Sequence, residues 1–151
     1  NIYNLSILHN IRGNESCSIH IRRADYLSKN ALNFHGTCNL DYYQKAVDFI
    51  CSKIKSIQFF IFSDDYSWAK ENIKVTVENS FLIEGNHYKN SWIDMFLMSQ
   101  CSHNIIANSS FSWWGAWLNE NPNKIIISPQ DWFAEKSINT TDLLPKDWVL
   151  L

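Results

Sequence analysis

The chain has 151 residues, 46% of them apolar and 19% charged, a composition that excludes a disordered segment and suits one globular domain able to bury a core without staples. Thirteen basic and fifteen acidic residues leave a formal charge of -2, so no overall basic field recommends nucleic acid as a partner. An anionic ligand would need a local basic site.

In chain order, residues 1–15 read as the end of a helix and a polar turn, the remnant of a preceding segment, with the domain proper expected over 16–151. Residues 17–21 (CSIHI) form a short buried strand, and 22–39 a polar loop containing Gly36. Leu40, Tyr43, Val47, Ile50 and Ile54 recur at helical spacing, which predicts an amphipathic helix over 40–55 capped by Asn39 or Asp41. The apolar run 58–62 (QFFIF) predicts a strand that ends in Ser63-Asp64-Asp65, followed by a helix through 68–72. A strand over 80–83, a helix over 91–100, a strand over 103–107 (HNIIA), a helix over 109–118 and a strand over 124–128 (KIIIS) complete the pattern. From residue 129 onwards the chain looks less regular. Strands that are near-continuous apolar runs and alternate with helices predict an α/β fold, a Rossmann-like parallel sheet with helices on both faces. No apolar run approaches membrane-spanning length and no secretory leader is visible. The cysteines form no CxxC pair, and Cys17, Cys51 and Cys101 are read as buried free thiols rather than disulfides. The sequons at Asn4, Asn14, Asn108 and Asn139 are what chance supplies in a chain rich in Asn and Ser.

In such folds ligands sit beyond the carboxyl ends of the strands. Three polar clusters fall there. After the first strand come Arg22 and Arg23. Alternation puts Arg22 on the same face as His20 and turns Arg23 away, towards Asp25. An Arg fork suits phosphate oxygens, and a surface Arg pair bridged to Asp25 is an equally good reading from spacing alone. After the second strand come Asp64 and Asp65, of which Asp64 is read first as a helix cap, with a base, a ribose or a divalent cation as alternative partners of the pair. After the HNIIA strand, Asn108-Ser109-Ser110-Phe111-Ser112 opens a helix, whose exposed N–H groups and dipole favour an anion. An ordinary Ser cap is the plain alternative. Trp113, Trp114 and Trp117 are read as core before cleft wall. Walker, GxGxxG, HExxH and GxSxG patterns are absent.

These segments carry a resemblance. His20-Ile21-Arg22-Arg23-Ala24-Asp25-Tyr26 resembles the HxRRxDY signature of the α-1,2-fucosyltransferases (glycosyltransferase family 11). The stretch 98–118, with Asn108-Ser109-Ser110-Phe111-Ser112-Trp113-Trp114-Gly115 at its centre, resembles that family's later motif, and Phe62-Ser63-Asp64-Asp65 with Trp68 the one between. The three occur in the family's order. Bacterial members more often carry Gly where this chain has Ala24.

The resemblance implies the C-terminal, GDP-fucose-binding part of a GT-B enzyme, with the N-terminal domain that helps form the acceptor site expected to be missing here. The implied reaction moves L-fucose to a terminal β-galactose of a glycan, inverting the anomeric centre, with no metal and no cofactor beyond the GDP-fucose donor. Arg22 supported by Arg23, with the helix start at Ser110 and Ser112, would stabilise charge on the β-phosphate. His20 with Asp64 or Asp65 would hold guanine or ribose, and Asn108, Ser109 and Phe111 would complete the donor site. The base for the acceptor hydroxyl is not identified; Asp25 is the carboxylate nearest the arginines. The implied location is cytoplasmic, or peripheral at the inner membrane face of a bacterium. Two rival classes remain: a non-catalytic carbohydrate-binding module using its Trp- and Tyr-rich surface, and a regulatory nucleotide-binding domain.

Overall fold

The computed structural model describes residues 1–24, 29–73 and 80–151. Asp25 and Tyr26 lie outside the described residues. Among the described residues six parallel strands form one open sheet: β1 (Ser16–Ile21), β2 (Gln58–Ser63), β3 (Ser80–Ile83), β4 (His103–Ile105), β5 (Ile126–Ser128) and β6 (Val149–Leu150). Their order is β3-β2-β1-β4-β5-β6. The chain therefore builds outwards from β1 to β3, then crosses back to place β4 on the other side of β1. This is the doubly wound Rossmann order, and its topological switch point lies between β1 and β4.

Both faces are covered, which is why β2 reads as a nearly continuous apolar run. Successive side chains point to opposite faces. Cys17, Ile19 and Ile21 of β1 and Phe59 and Ile61 of β2 pack against Tyr42, Tyr43, Ala46, Val47 and Ile50 of α3 (Leu40–Lys53). On the opposite face Phe60 and Phe62 pack with Ile7 and Ile11 of α1 (Ile2–Gly13) and with Leu97 and Met98 of α5 (Trp92–Gln100). Residues 1–15 thus supply a core helix of this sheet. β1 turns polar groups to that second face. Ser18 Oγ accepts from Asn104 Nδ2 at 2.8 Å, and Asn104 Oδ1 accepts from Asn119 Nδ2 at 2.7 Å, so the buried amides are satisfied. The same row ends in His20.

Most expected elements stand within two or three residues of their predicted bounds. Asn39 caps α3, its Oδ1 accepting from Tyr42 N at 2.9 Å. The loop expected over 22–39 instead contains a short helix, α2 (Lys29–Phe34). Six residues are too few to show periodicity, and its end is held tertiarily: Phe34 meets Phe133 at 5.4 Å, and Phe34 O accepts from Ala134 N at 3.1 Å. β6 is likewise a two-residue pairing that the sequence leaves unmarked.

Two burial expectations need correction. Cys51 is exposed on the outer side of α3, although all four cysteines are free thiols. Trp114 and Trp117 of α6 (Ser110–Trp117) are 49% and 52% exposed, not core. The helix faces its neighbours with its small residues, Gly115 and Ala116 being buried, and so its large rings turn outwards. Trp113 alone of the three packs with the buried Trp132 and Trp148.

Gly115 sits where α6 crosses α5. A Cβ there would lie 3.2 Å from Met98 Cβ and 3.3 Å from Met98 Cε. Gly115→Ala should therefore destabilise by about 1–3 kcal/mol despite the better helix propensity of Ala, because the helices must part. Thermal melting reads this, and a variant as stable as the parent would show that Met98 yields freely.

Candidate donor-binding cleft

The carboxyl ends of β1, β2, β3 and β4 meet around a cleft of about 410 Å³ at the switch point. His20 and Arg22 from β1, Ser63 and Asp64 from β2, and Ser109, Ser110 and Phe111 from the start of α6 all line it. The alternation argument holds for the first pair, since His20 and Arg22 share this cleft. Arg23 is on the other side. Its guanidinium stands 4.0 Å over the Trp68 ring and its Nε lies 3.8 Å from Asp65 Oδ2, so its described partners are on α4 (Tyr66–Asn72).

The two aspartates have divided duties. Asp65 is the cap of α4, accepting from Trp68 N at 3.1 Å. Asp64, the cap expected from local sequence, instead reaches across to the turn after β1. Its Oδ1 accepts from Arg23 N at 2.8 Å, its Oδ2 from Ala24 N at 3.2 Å, and the same Oδ2 lies 3.3 Å from Arg22 Nε. Parallel pairing of Ile21 with Ser63 brings the two strand ends together and makes this reach possible. Asp64 therefore shapes the turn that aims the arginines.

His20 is buried, its ring 5.5 Å from Phe111, and Tyr43 OH donates to its carbonyl at 3.1 Å. Burial, helped by the Arg22 charge, pushes its imidazole down to about 3, so the ring is neutral at physiological pH. Its Nδ1 is buried without a hydrogen-bond partner among the described residues.

The expected serine and asparagine cluster is split. Ser109 and Ser110 face the cleft. Ser112 is fully buried and its Oγ donates back to Ser109 O at 3.3 Å and Ala107 O at 3.4 Å. Asn108 Nδ2 donates to His35 O at 2.9 Å and Trp132 O at 3.2 Å, bracing the loop after α2 beside a different cavity. What remains at the cleft is the helix start itself, where the first-turn N–H groups have no acceptor within the helix.

The structure adds residues that the sequence reading missed. Asn86, His87 and Tyr88 after β3 and Asp94 of α5 also line the cleft. Asp94 is only 8% exposed, and its Oδ1 accepts from Asn86 Nδ2 at 2.8 Å. Burial pushes its carboxyl up to about 6, against the lowering effects of the Asn86 hydrogen bond and His87. One signal was available: Asp94 is the single charged residue in the mostly apolar α5.

Over its length the chain matches the family model described as Glycosyl transferase family 11, at residues 2–151. The chain belongs to glycosyl transferase family 11. Among curated relatives of this family, it is 44% identical over 135 residues to the O-antigen biosynthesis glycosyltransferase WbnK of Escherichia coli, covering 89% of this chain and 44% of that protein. It is 42% identical over 143 residues to an alpha-1,2-colitosyltransferase of Escherichia coli, covering 92% of this chain and 48% of the relative. It is 28% identical over 101 residues to the galactoside alpha-(1,2)-fucosyltransferase 1 of Saimiri sciureus, covering 66% and 28% respectively. The chain thus spans less than half the length of these family 11 relatives. The family is the one that the three sequence motifs resemble, and the motif residues His20, Arg22, Asp64, Ser109, Ser110 and Phe111 are brought to one cleft. Among the described residues no cluster of three His, Cys, Asp or Glu side chains could hold a metal ion. No helix among them is long and apolar enough to cross a membrane.

Proposed function

We propose that this chain is the donor-binding part of a galactoside α-1,2-fucosyltransferase that takes GDP-fucose as donor and a glycan with a terminal β-galactose as acceptor. The observation that carries the reading is that an Arg guanidinium, a helix start and a buried carboxylate line one cleft. The first two suit a diphosphate and the last suits guanine, whose N1–H and 2-amino group form a paired donor edge.

In the reaction, the galactose 2-hydroxyl oxygen attacks fucose C1 and the C1–O bond to the β-phosphate breaks. The electron pair leaves with GDP, and the anomeric configuration inverts. Charge then grows on the β-phosphate, where Arg22 and the N–H groups and hydroxyls of Ser109 and Ser110 stabilise it without a metal. Arg23, stacked on Trp68, supports the turn from behind. Asp25 is the candidate acceptor for the hydroxyl proton. Neutral His20 and the Asp94 carboxylate hold the nucleoside. The reading places the reaction in the cytoplasm or at the inner face of a bacterial membrane. The second half of a GT-B enzyme would complete the acceptor site.

The colitosyltransferase relative supports a second reading of the donor sugar. Colitose is fucose without its 3-hydroxyl, so competition between GDP-fucose and GDP-colitose for this chain separates the two.

The test of the nucleotide is direct. GDP at a hundredfold excess over its Kd should stabilise the chain by about 2.7 kcal/mol, a rise in Tm of roughly 5–10 °C, with UDP and AMP much weaker and EDTA without effect. Stabilisation by a neutral galactoside but not by GDP would favour the binding module instead. A shift abolished by EDTA would move Asp64 and Asp65 into a metal site and overturn the arginine mechanism.

A further inference from the structure

We propose that Asn4 and Asn86 are positioning residues for the Asp94 carboxylate, so that α1 forms part of the guanine subsite although it lies outside every family motif read in the sequence. The inference rests on the GDP reading above.

The geometry is a closed relay. Asn4 Nδ2 donates to Asn86 Oδ1 at 2.9 Å, and Asn86 Nδ2 donates back to Asn4 Oδ1 at 3.0 Å. The same Asn86 Nδ2 group spends its other hydrogen on Asp94 Oδ1 at 2.8 Å. An ionised carboxylate only accepts, so Asn86 must turn its amino group to Asp94. Its oxygen then meets the amino group of Asn4, and Asn4 Oδ1 accepts from Asn86 in return. Each amide fixes the other, and neither can flip without losing a buried bond. Both are buried, Asn4 at 7% exposure and Asn86 at 5%.

Asn4 stands in the first turn of α1, where its N–H donates to Asn1 Oδ1 at 2.8 Å, and its side chain turns to the same buried side as Ile7 and Ile11. A Leu there would serve packing better. The loop that carries Asn86 follows Gly85, whose φ of +94° is open to Gly and strained for other residues. Sequence choices on two elements thus converge on one carboxylate oxygen. Among the described residues only Oδ1 of Asp94 takes a hydrogen bond, and the residue lines the cleft, leaving Oδ2 for a ligand.

The titratable groups around Asp94 are His87 on the same loop as Asn86, Tyr66 of α4, His20 and Arg22 at the end of β1, and Glu84 after β3. Of these His87 lowers the Asp94 carboxyl, as does the Asn86 hydrogen bond. Removing Asn86 therefore moves the carboxyl further up.

Titration calorimetry with GDP and IDP on the 151-residue chain tests the relay. IDP keeps N1–H and lacks only the 2-amino group. The parent should prefer GDP about tenfold or more. Asn4→Ala and Asn86→Ala should each cut that preference by roughly three- to tenfold while changing IDP affinity little. In Asn86→Ala the pH at which GDP binding is half lost on acidification should move upwards. In an Asp94→Asn background, Asn4→Ala should have no further effect on the preference, as expected for residues acting through one group. Asn86→Ala, on a loop, carries the test if Asn4→Ala does not fold. Variants that lower Tm while leaving the GDP/IDP ratio and the pH midpoint unchanged would reduce the pair to a structural brace and overturn the inference. A parent with no preference for GDP over IDP would overturn the base reading and the relay together.

Discussion

Arg22→Lys should weaken GDP binding by roughly ten- to a hundredfold, whereas Arg23→Lys should leave it nearly intact and lower the melting temperature instead. Arg22 lines the cleft with its Nε held 3.3 Å from Asp64 Oδ2, so the guanidinium is aimed before any ligand arrives. Lys keeps the charge and loses the fork, so at least one charge-assisted bond worth about 1.5–3 kcal/mol goes with it, which is the stated range in affinity. In a complete enzyme the loss in turnover should be larger, because β-phosphate charge grows towards the transition state. Arg23 has a different task. Its flat guanidinium stacks at 4.0 Å on Trp68, and an ammonium cannot reproduce that contact, so its loss falls on the β1–α4 packing. Calorimetry and melting curves on both variants decide the matter. GDP binding lost in Arg23→Lys and kept in Arg22→Lys would exchange the two roles.

Asp94→Asn should lower GDP affinity by about a hundredfold and, without nucleotide, raise stability at neutral pH. The carboxyl is pushed up to about 6 from an ordinary 3.8, chiefly by burial. The folded state therefore holds this proton more tightly than the unfolded state. Stability from this group is fully present below about pH 4 and is lost as pH rises through about 6, leaving a cost of about 3 kcal/mol at pH 7. Asn can still accept from Asn86 and carries no charge to desolvate. The Tm advantage of Asp94→Asn should hence shrink as pH falls from 7 towards 4. GDP affinity of the parent should fall over the same acid range, since the protonated carboxyl loses its acceptor role. A variant that binds GDP normally would remove Asp94 from the site. One that is no more stable at pH 7 would show that water reaches the carboxylate.

Much of the candidate cleft was legible because it is built at strand ends. His20 and Arg22 are two apart on a strand, and that spacing alone puts them on one side. Ser109 and Ser110 follow a strand and open a helix, which marks them as an anion site. The sheet was legible for a related reason: a strand covered on both faces, such as QFFIF at 58–62, is mostly apolar and stands out as a short run. Asp94 was not legible as a site residue. An acid in the first turn of a helix is ordinary in sequence, and its burial depends on α1 and on the loop after β3.

The sequence by itself determined the α/β class, the position of nearly every strand, the family and the cluster of residues at the strand ends, because periodicity and strand-end chemistry are local properties. Only the tertiary structure decided which aspartate caps α4 and which clamps the arginine turn, since Asp64 and Asp65 are equivalent until Ile21 is paired with Ser63. It alone turned Ser112 and Asn108 inwards, exposed Trp114 and Trp117, and joined Asn4 to Asp94 through Asn86. Those outcomes rest on contacts between residues up to 82 positions apart, as from Asn4 to Asn86, and their energies exist only once the strands have fixed the distances.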